Sequence, residues 1–546
     1  MSRLRLVRGR GGQPEPLFME EPPLLTDPRV ERLRTLILDS FRVRENQDPV
    51  YVDVANHLAR VGAPQHLIVF GRRGSGKSSL LVHHHRQALK LQKPLSVYIT
   101  ADVVKTLPYP DLLIRLLLEV GNAIVTKRRS LGAILRRRSM HSLRSELSGL
   151  RQLLDQAAQQ DVTDAQTRAN TSRETANLHA GGQGLGGSLG AEEASATISQ
   201  RTARFRQQKL EHIDRHLIDF RDAFVEAIAT TGHNQATVLV DDFYLIEPAL
   251  QPDVIDYLHR LLRGTSLYLK IGTVRHRTVL GRQNGRLIGV ELYQDVEELD
   301  LDQTFENVTR TQDYLRRMLD TLAVKVDLTD VSAWIFNPDG LLSLTLASGG
   351  VPRDFLTIFV EAIEIAVNSG QTRWLTPSVI YKAGDRVSYR TKLSNLRDDV
   401  GDEARRLEAV YQDLLTYCLV EKRKTAFLIA QDEVTRFANE HELIKQLMDF
   451  KLIHVIEADT SAASGRPGRY EAYTLDFSLF MEPRLRGIEV IEFWRLDAQR
   501  RRRGLREAPV YPLSRAVAAE ISAPTESTEQ LVQSIERQIG VEPAAE

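Results

Sequence analysis

A chain of 546 residues is longer than one hydrophobic core serves, so two to four domains are expected. Its 72 basic and 72 acidic residues cancel, which leaves any attraction to nucleic acid or an anionic surface to local clusters. The single cysteine, Cys418, excludes an intramolecular disulfide framework and cysteine-ligated zinc, and fits a reducing, cytoplasmic setting.

Residues Met1 to Pro16 are basic and glycine-rich without the apolar stretch of a secretory signal. No later run reaches the roughly 18 apolar residues of a membrane helix, so no membrane partner is expected. After a proline-rich lead, Pro28 to Phe41 carries leucines and an isoleucine at helical spacing, and residues 1–45 read as an arm or cap. From Gln65 the pattern becomes a buried strand, His66 to Phe70, then a glycine loop, then a helix beginning near Gly76. A second strand, Leu95 to Thr100, precedes a helix near Tyr109 to Val125, and apolar strands recur at Thr237 to Val240 and Leu267 to Gly272. Strands alternating with helices predict an α/β core with a parallel sheet over 46–300.

That rhythm stops between 126 and 205, which marks an insertion. Lys127 to Gln160 reads as a long polar helix, and Asn170 to Gln200 is rich in Gly, Ala, Ser and Thr, with Leu178 to Gly190 either a mobile loop or a glycine-rich hairpin. A helix resumes at Phe205 to Thr230. Residues 301–400 read as helices, Asp302 to Ala323, Leu341 to Ser348, Arg353 to Asn368 and Thr376 to Ser394. Residues 401–489 read as helices ending in Glu440 to Met448, followed by β-like runs Leu452 to Glu457 and Arg469 to Leu475, the order of a winged helix. Residues 490–546 read as a basic and then flexible tail.

Gly71-Arg72-Arg73-Gly74-Ser75-Gly76-Lys77-Ser78 matches G-x-x-x-x-G-K-[ST] between an apolar strand and a helix, with Ser79 next on that helix. Glycines at 74 and 76 let successive N–H groups face phosphates at the positive end of the helix. Lys77 supplies charge to the outer phosphates and Ser78 a hydroxyl to magnesium, so the expected ligands are ATP and Mg²⁺. Thr237-Val-Leu-Val-Asp-Asp-Phe243 ends a buried strand in two acids: Asp241 to hold the metal through water, Asp242 to orient or deprotonate the attacking water. Thr273 and Arg275 close the next strand, where polar groups reach toward an outermost phosphate or simply face solvent. Ser348-Gly-Gly-Val-Pro-Arg353 opens a helix with a rigid Pro352 and a cation, Arg353. Consecutive His83, His84 and His85 point about 100° apart on a helix, cannot converge on one ion, and are read as helix surface and flank.

Phosphate loop, paired-Asp strand, Thr-x-Arg strand end, Gly-Gly-x-Pro-Arg turn and helices-then-hairpin module follow in that order. The chain thereby resembles an AAA+/STAND-type P-loop ATPase, nearest in layout to the Orc/Cdc origin-recognition ATPases, over about Asp48 to Met481 without the insertion. The resemblance implies a five-strand core, a helical lid and a C-terminal winged-helix-like domain. It implies that Thr273 or Arg275 serves as a first sensor, that Pro352 borders the base and that Arg353 serves as a second sensor. Asp242 stands where origin-recognition ATPases usually carry Glu, which leans toward the STAND side and toward slow turnover. Arg260 or Arg263 is the positional candidate for an arginine offered to a neighbouring subunit. DNA is a possible partner through the winged domain and the clusters Lys127 to Arg129, Arg136 to Arg138, Lys422 to Lys424 and Arg500 to Arg503; Glu440 to Phe450, the expected recognition helix, is not strongly basic. The expected function is an ATP-binding, ATP-hydrolysing switch coupling nucleotide state to lid and winged-helix movement, with a DNA-loading or remodelling ATPase, an oligomerising signalling or defence scaffold and a small-molecule kinase as its rivals.

Overall fold

The computed structural model describes residues 24–41, 51–92, 94–126, 140–155, 203–389, 391–394, 396, 402–462, 467–479, 487–521 and 528–538. In the first unit, β1 (Leu67–Phe70), β2 (Leu95–Thr100), β3 (Ala236–Asp241) and β4 (Leu267–Thr273) are almost wholly buried. Their unbroken apolar runs follow from helices covering both faces. Alternation along β1 sends Ile68 and Phe70 to one face, against the helices Asp111–Thr126, Leu217–Thr230 and Gln251–Leu262, and Leu67 and Val69 to the other, against Leu80 and Leu81 of the helix Lys77–Leu91. A hairpin, β5 (Gly281–Asn284) and β6 (Arg286–Gly289), then leads to β7 (Glu297–Asp300), which pairs parallel with β1. The five-stranded order is β2-β3-β4-β1-β7, and the pairings within it are parallel. Parallel strands finish on one edge, so Phe70, Asp241 and Thr273 end side by side. The crevice beyond those carboxyl ends is where such sheets bind ligands.

Two readings of the insertion region change. The described part of Lys127 to Gln160, a helix over 140–155, has an apolar face: Leu143, Leu147 and Leu150, at i, i+4 and i+7, are buried in the sheet's main core. Gly121 is the residue that admits it, since a Cβ there would lie 2.4 Å from Leu147. The helix expected over Phe205 to Thr230 is interrupted at His216, with the second part spanning Leu217–Thr230. Leu178 to Gly190, Lys127 to Arg129 and Arg136 to Arg138 lie outside the described residues.

A second unit packs Val308–Val324, Gly340–Ala347, Pro352–Asn368 and Pro377–Gly384 about one core. The helix Pro28–Ser40 joins it, burying Val30, Leu33 and Ile37 there, and Leu25 N–H donates to Thr372 O at 2.9 Å. The described part of the N-terminal arm is thus packed into this unit.

The third unit combines Asp402–Leu415 and Ala438–Asp449 with an antiparallel sheet, β8 (Ala426–Ala430), β9 (Ile453–Thr460) and β10 (Tyr470–Leu475), in the order β8-β10-β9. The segment read as a tail corrects that expectation, because its described parts are built into this unit. Ile491, Phe493, Leu505, Tyr511, Leu513 and Ile535 are buried, and Tyr511 N–H donates to Leu428 O at 2.7 Å beside β8. These residues fill the core singly, without a period, so hydrophobic patterning gives no sign of them. The Phe493 ring lies 5.5 Å from Phe305, 5.9 Å from Phe477 and 5.2 Å from Trp494. Phe493→Ala is accordingly expected to lower the unfolding free energy by about 3–5 kcal/mol, measured by urea denaturation; a loss under ~1 kcal/mol would contradict this packing.

Candidate functional site

The loop at Gly71 to Ser78 bends at Gly74 and Gly76, whose φ values of +94° and +102° suit glycine alone. Gly76 caps the helix Lys77–Leu91, and a Cβ at Gly76 would meet nothing within 4 Å, so the backbone there fronts open space. Ser75 Oγ is buried without a hydrogen-bond partner. Lys77 is 5% exposed, and its Nζ donates to Gly71 O at 2.5 Å and Arg72 O at 3.2 Å. Burial pushes its pKa down, while the carboxylates of Asp302, Asp241 and Asp242 push it back up. The loop therefore presents an ammonium held by carbonyls that a phosphate oxygen out-competes as a partner.

Asp241 closes β3 and is fully buried; Tyr98 Oη donates to its Oδ2 at 2.8 Å and Asp242 N–H to its Oδ1 at 2.9 Å. Gly272 on β4 makes the room. A Cβ there would sit 2.6 Å from Asp241 Oδ1 and 2.8 Å from Leu81 Cδ1, which puts the carboxylate against the helix face, one turn on, that carries Lys77. Gly272→Ala is expected to cost about 1–3 kcal/mol and lower the melting temperature by several degrees in calorimetry; an unchanged midpoint would show that the carboxylate is not confined this way. Asp242 is half-buried at φ +53°, and burial, then the charge of Asp241, raises its pKa from 3.8 to about 6, against the opposing charges of Lys77 and Arg73. A carboxylate so raised, beside a phosphate loop, has the proton affinity of a general base for neutral pH.

The end of β4 separates the two sensor candidates. Thr273 touches the loop by its backbone, Gly71 N–H donating to its O at 3.2 Å, while its Oγ1 lies 2.6 Å from Thr278 Oγ1. Arg275 turns to β7 instead, ion-paired with Glu298 and, at 2.9 Å, with Asp300, its guanidinium over the Phe70 ring. These two carboxylates hold the cation that the sequence leaves either reaching toward an outermost phosphate or facing solvent.

Sequence reading missed Asp302. It receives the Arg72 N–H at 2.8 Å and lies 3.4 Å from Arg72 Nε, so the loop's first turn is anchored beyond β7. Nothing pointed to it because β7, Glu-Glu-Leu-Asp, buries only Leu299 and reads as a polar turn.

The Ser348-Gly-Gly-Val-Pro-Arg353 turn lies on the loop. Arg353 N–H donates to Gly74 O at 3.2 Å, and a Cβ at Gly74 would come within 3.0 Å of Arg353 Cβ and 3.1 Å of Val351. Pro352 and Arg353, with Gly74, Ser75, Gly76 and Ser79, line a cavity of about 80 Å³ whose far wall is Phe41, Tyr51, Val52, Tyr314 and Leu356. Gly350, at φ +76°, is required because a Cβ would fall 2.7 Å from Gln303 O.

Several of the other candidates have local partners. Arg260 pairs with Asp256 at 2.8 Å and Asp214 at 3.2 Å on an exposed helix face. Of the three histidines His84 is buried and the other two are half-buried, the His83 ring 5.6 Å from Tyr51 and His85 Nδ1 2.8 Å from Ser96 Oγ. Lys424 pairs with Glu489, Arg502 with Glu457 and Arg503 with Glu492, so two of the basic clusters are partly neutralised. Every residue from His441 to Phe450 is buried or half-buried, His276 N–H donates to Asp449 Oδ2 at 3.2 Å, and Arg277 lies over Phe450. The C-terminal end of the expected recognition helix thus packs against the first unit through Asp449 and Phe450.

Among the described residues no group of three or more His, Cys, Asp or Glu is placed to hold a metal ion, and no helix is long and apolar enough to cross a membrane. The donors present do fit magnesium, which keeps several waters and takes one carboxylate, a hydroxyl and phosphate oxygens. Open space at Gly76 and the orphaned Ser75 Oγ likewise fit a phosphate chain along the loop.

No family model matches the chain, and no curated protein does. Among solved structures it is similar to a Walker-type ATPase of Pyrococcus abyssi, at 12% identity and a TM-score of 0.37 over 79% of this chain and 96% of that one. It is also similar to the Orc2 protein of Aeropyrum pernix, solved as ADPNP–ADP complexes, at 12% identity and a TM-score of 0.35 over 90% and 97% of the two chains. The Orc1 protein of the same organism, solved with DNA, matches at 13% identity and a TM-score of 0.29 over 82% and 88%. At such scores these likenesses carry no functional weight. The chain's own topology is that of an α/β P-loop core, a five-stranded parallel sheet whose loop and acidic strand end at one crevice.

Proposed function

We propose that this chain binds ATP with magnesium at Gly71 to Ser78, hydrolyses it slowly, and uses the nucleotide to set the arrangement of its three units. The observation that carries the reading is the gathering of a buried Lys77, a fully buried Asp241 and a pKa-raised Asp242 about one loop. Lys77 and the loop N–H groups grip the phosphates; Ser78 and Asp241 would hold the metal, which would supply charge neutralisation at the phosphoryl group. Asp242 takes a proton from the attacking water. Arg353, whose backbone already sits on Gly74, closes the helical unit over the phosphates as a lid, and Pro352 borders the base.

In this reading the third unit is a winged-helix-like module whose helix Ala438–Asp449 is released or retained according to nucleotide state. ATPase rate and particle mass, measured with and without duplex DNA, test the coupling. DNA-stimulated turnover with a steep salt dependence identifies a nucleic-acid-remodelling ATPase. A nucleotide-dependent change in mass without DNA affinity identifies an assembling scaffold. Absence of nucleotide binding altogether rejects the proposal.

A further inference from the structure

Arg72 lies within the phosphate loop, yet its side chain reaches away from it to both the second and the third unit. It is 6% exposed; Nη2 donates to Gln303 O at 2.8 Å and Gly349 O at 3.3 Å, and Nη1 lies 3.2 Å from His454 Nδ1 on β9. Arginine has only donors, so Nδ1 must accept. The imidazole proton is then on Nε2, which donates to Asp476 Oδ2 at 2.6 Å. Asp476, fully buried, also receives Lys392 Nζ at 2.8 Å and Ser478 N–H at 3.2 Å. Burial holds His454 down to about 4, consistent with a neutral ring between a cation and an anion. A line of groups thus runs from Asp302 through Arg72, His454 and Asp476 to Lys392, every step at hydrogen-bond or ion-pair distance.

Two further observations show that this contact is built. A Cβ at Gly349 would fall 2.2 Å from His454 Cε1, so the ring reaches Arg72 only because position 349 is glycine, at φ +60°. Moreover, Arg72 O accepts from Lys77 Nζ at 3.2 Å, so the residue gripped by the third unit is one of the two that set where the phosphate-binding ammonium rests.

We propose that His454, oriented by Asp476, is a positioning residue for the phosphate loop, making nucleotide affinity depend on the docked third unit. The proposal rests on the ATP-binding reading above. Its consequence is reciprocal: a partner that draws β9 away from the core weakens nucleotide binding, and bound nucleotide strengthens docking by the same factor.

The test compares the full-length chain with His454→Leu, which removes both ring hydrogen bonds, and His454→Gln, whose amide restores an acceptor and a donor. His454→Leu is expected to raise the Kd for Mg·ATP by about tenfold or more, within the usual ~5–150-fold of coupled sites, and His454→Gln to recover most of that loss. In the nucleotide-free chain, amide exchange over Gly71 to Ser78 should be faster in His454→Leu and near normal in His454→Gln. A folded His454→Leu chain with unchanged ATP affinity and loop exchange overturns the proposal. Should that variant fail to fold, the native chain decides: ATP must slow exchange across β9, and unchanged exchange there overturns the proposal. If the native chain binds no ATP, the functional reading fails, while the loop-exchange comparison still judges the positioning role.

Discussion

Lys77→Ala is expected to raise the ATP dissociation constant by about 10²–10³-fold, ~3–4 kcal/mol. The lysine is buried, its Nζ rests only on the carbonyls of Gly71 and Arg72 among described partners, and the nearest charges acting on it are the carboxylates of Asp302, Asp241 and Asp242. Removing the ammonium leaves those anions facing an incoming triphosphate without their cation. Because Nζ bonds only to its own loop there, the melting temperature should move little. Calorimetric titration with Mg·ATP measures the first effect, and a variant with native affinity would remove this loop as the site.

Asp242→Asn separates binding from turnover. Asparagine tolerates the positive φ at this position better than most residues, so the backbone is preserved while the base is lost. ATP affinity should stay within a few-fold and kcat should fall by about 10²–10⁴-fold, the usual range for a positioned base. The native kcat/KM should rise with pH through about 6 and level off above it, as Asp242 loses its proton, and that rising limb should vanish in the variant. Stability runs the other way. A carboxyl whose folded pKa is raised binds its proton more tightly when folded, so its stabilisation is complete below 3.8 and lost as pH climbs through about 6. Asp242→Asn should flatten that decline in denaturation curves taken between pH 4 and pH 7. Native turnover in the variant would place the base elsewhere.

The core was legible where physics leaves a periodic or spaced mark. Buried parallel strands are apolar without interruption, so β1 to β4 stood out, and the glycine–lysine loop and paired acids lay at their ends. Long amphipathic helices such as Val308–Val324 and Pro352–Asn368 were equally readable, though the first begins later than expected, after a short turn at Phe305–Asn307. What stayed hidden is structure made by contact. β7 is polar and gains its place from pairing with β1, and Asp302 follows it. β8, Ala-Phe-Leu-Ile-Ala, is a short apolar run beside a helix end, indistinguishable from helix by length alone. Gly272 and Gly349 look like ordinary glycines in sequence; only coordinates show the Asp241 carboxylate and the His454 ring occupying the space a Cβ would take. Arg275, readable from sequence either as reaching toward phosphate or as facing solvent, pairs with Glu298 and Asp300, and those ion pairs are invisible without β7.

If Lys77 and Asp241 act on one metal-bound nucleotide, the gain in ATP affinity that magnesium brings must depend on Asp241. Calorimetry on the native chain with magnesium, and again with a chelator, should show tighter binding with the metal. Asp241→Asn should keep the metal-free affinity and lose the increment, whereas Lys77→Ala should lose affinity in both conditions. An increment that survives in Asp241→Asn, or metal-free binding that survives in Lys77→Ala, would place the two residues at different sites and contradict the account.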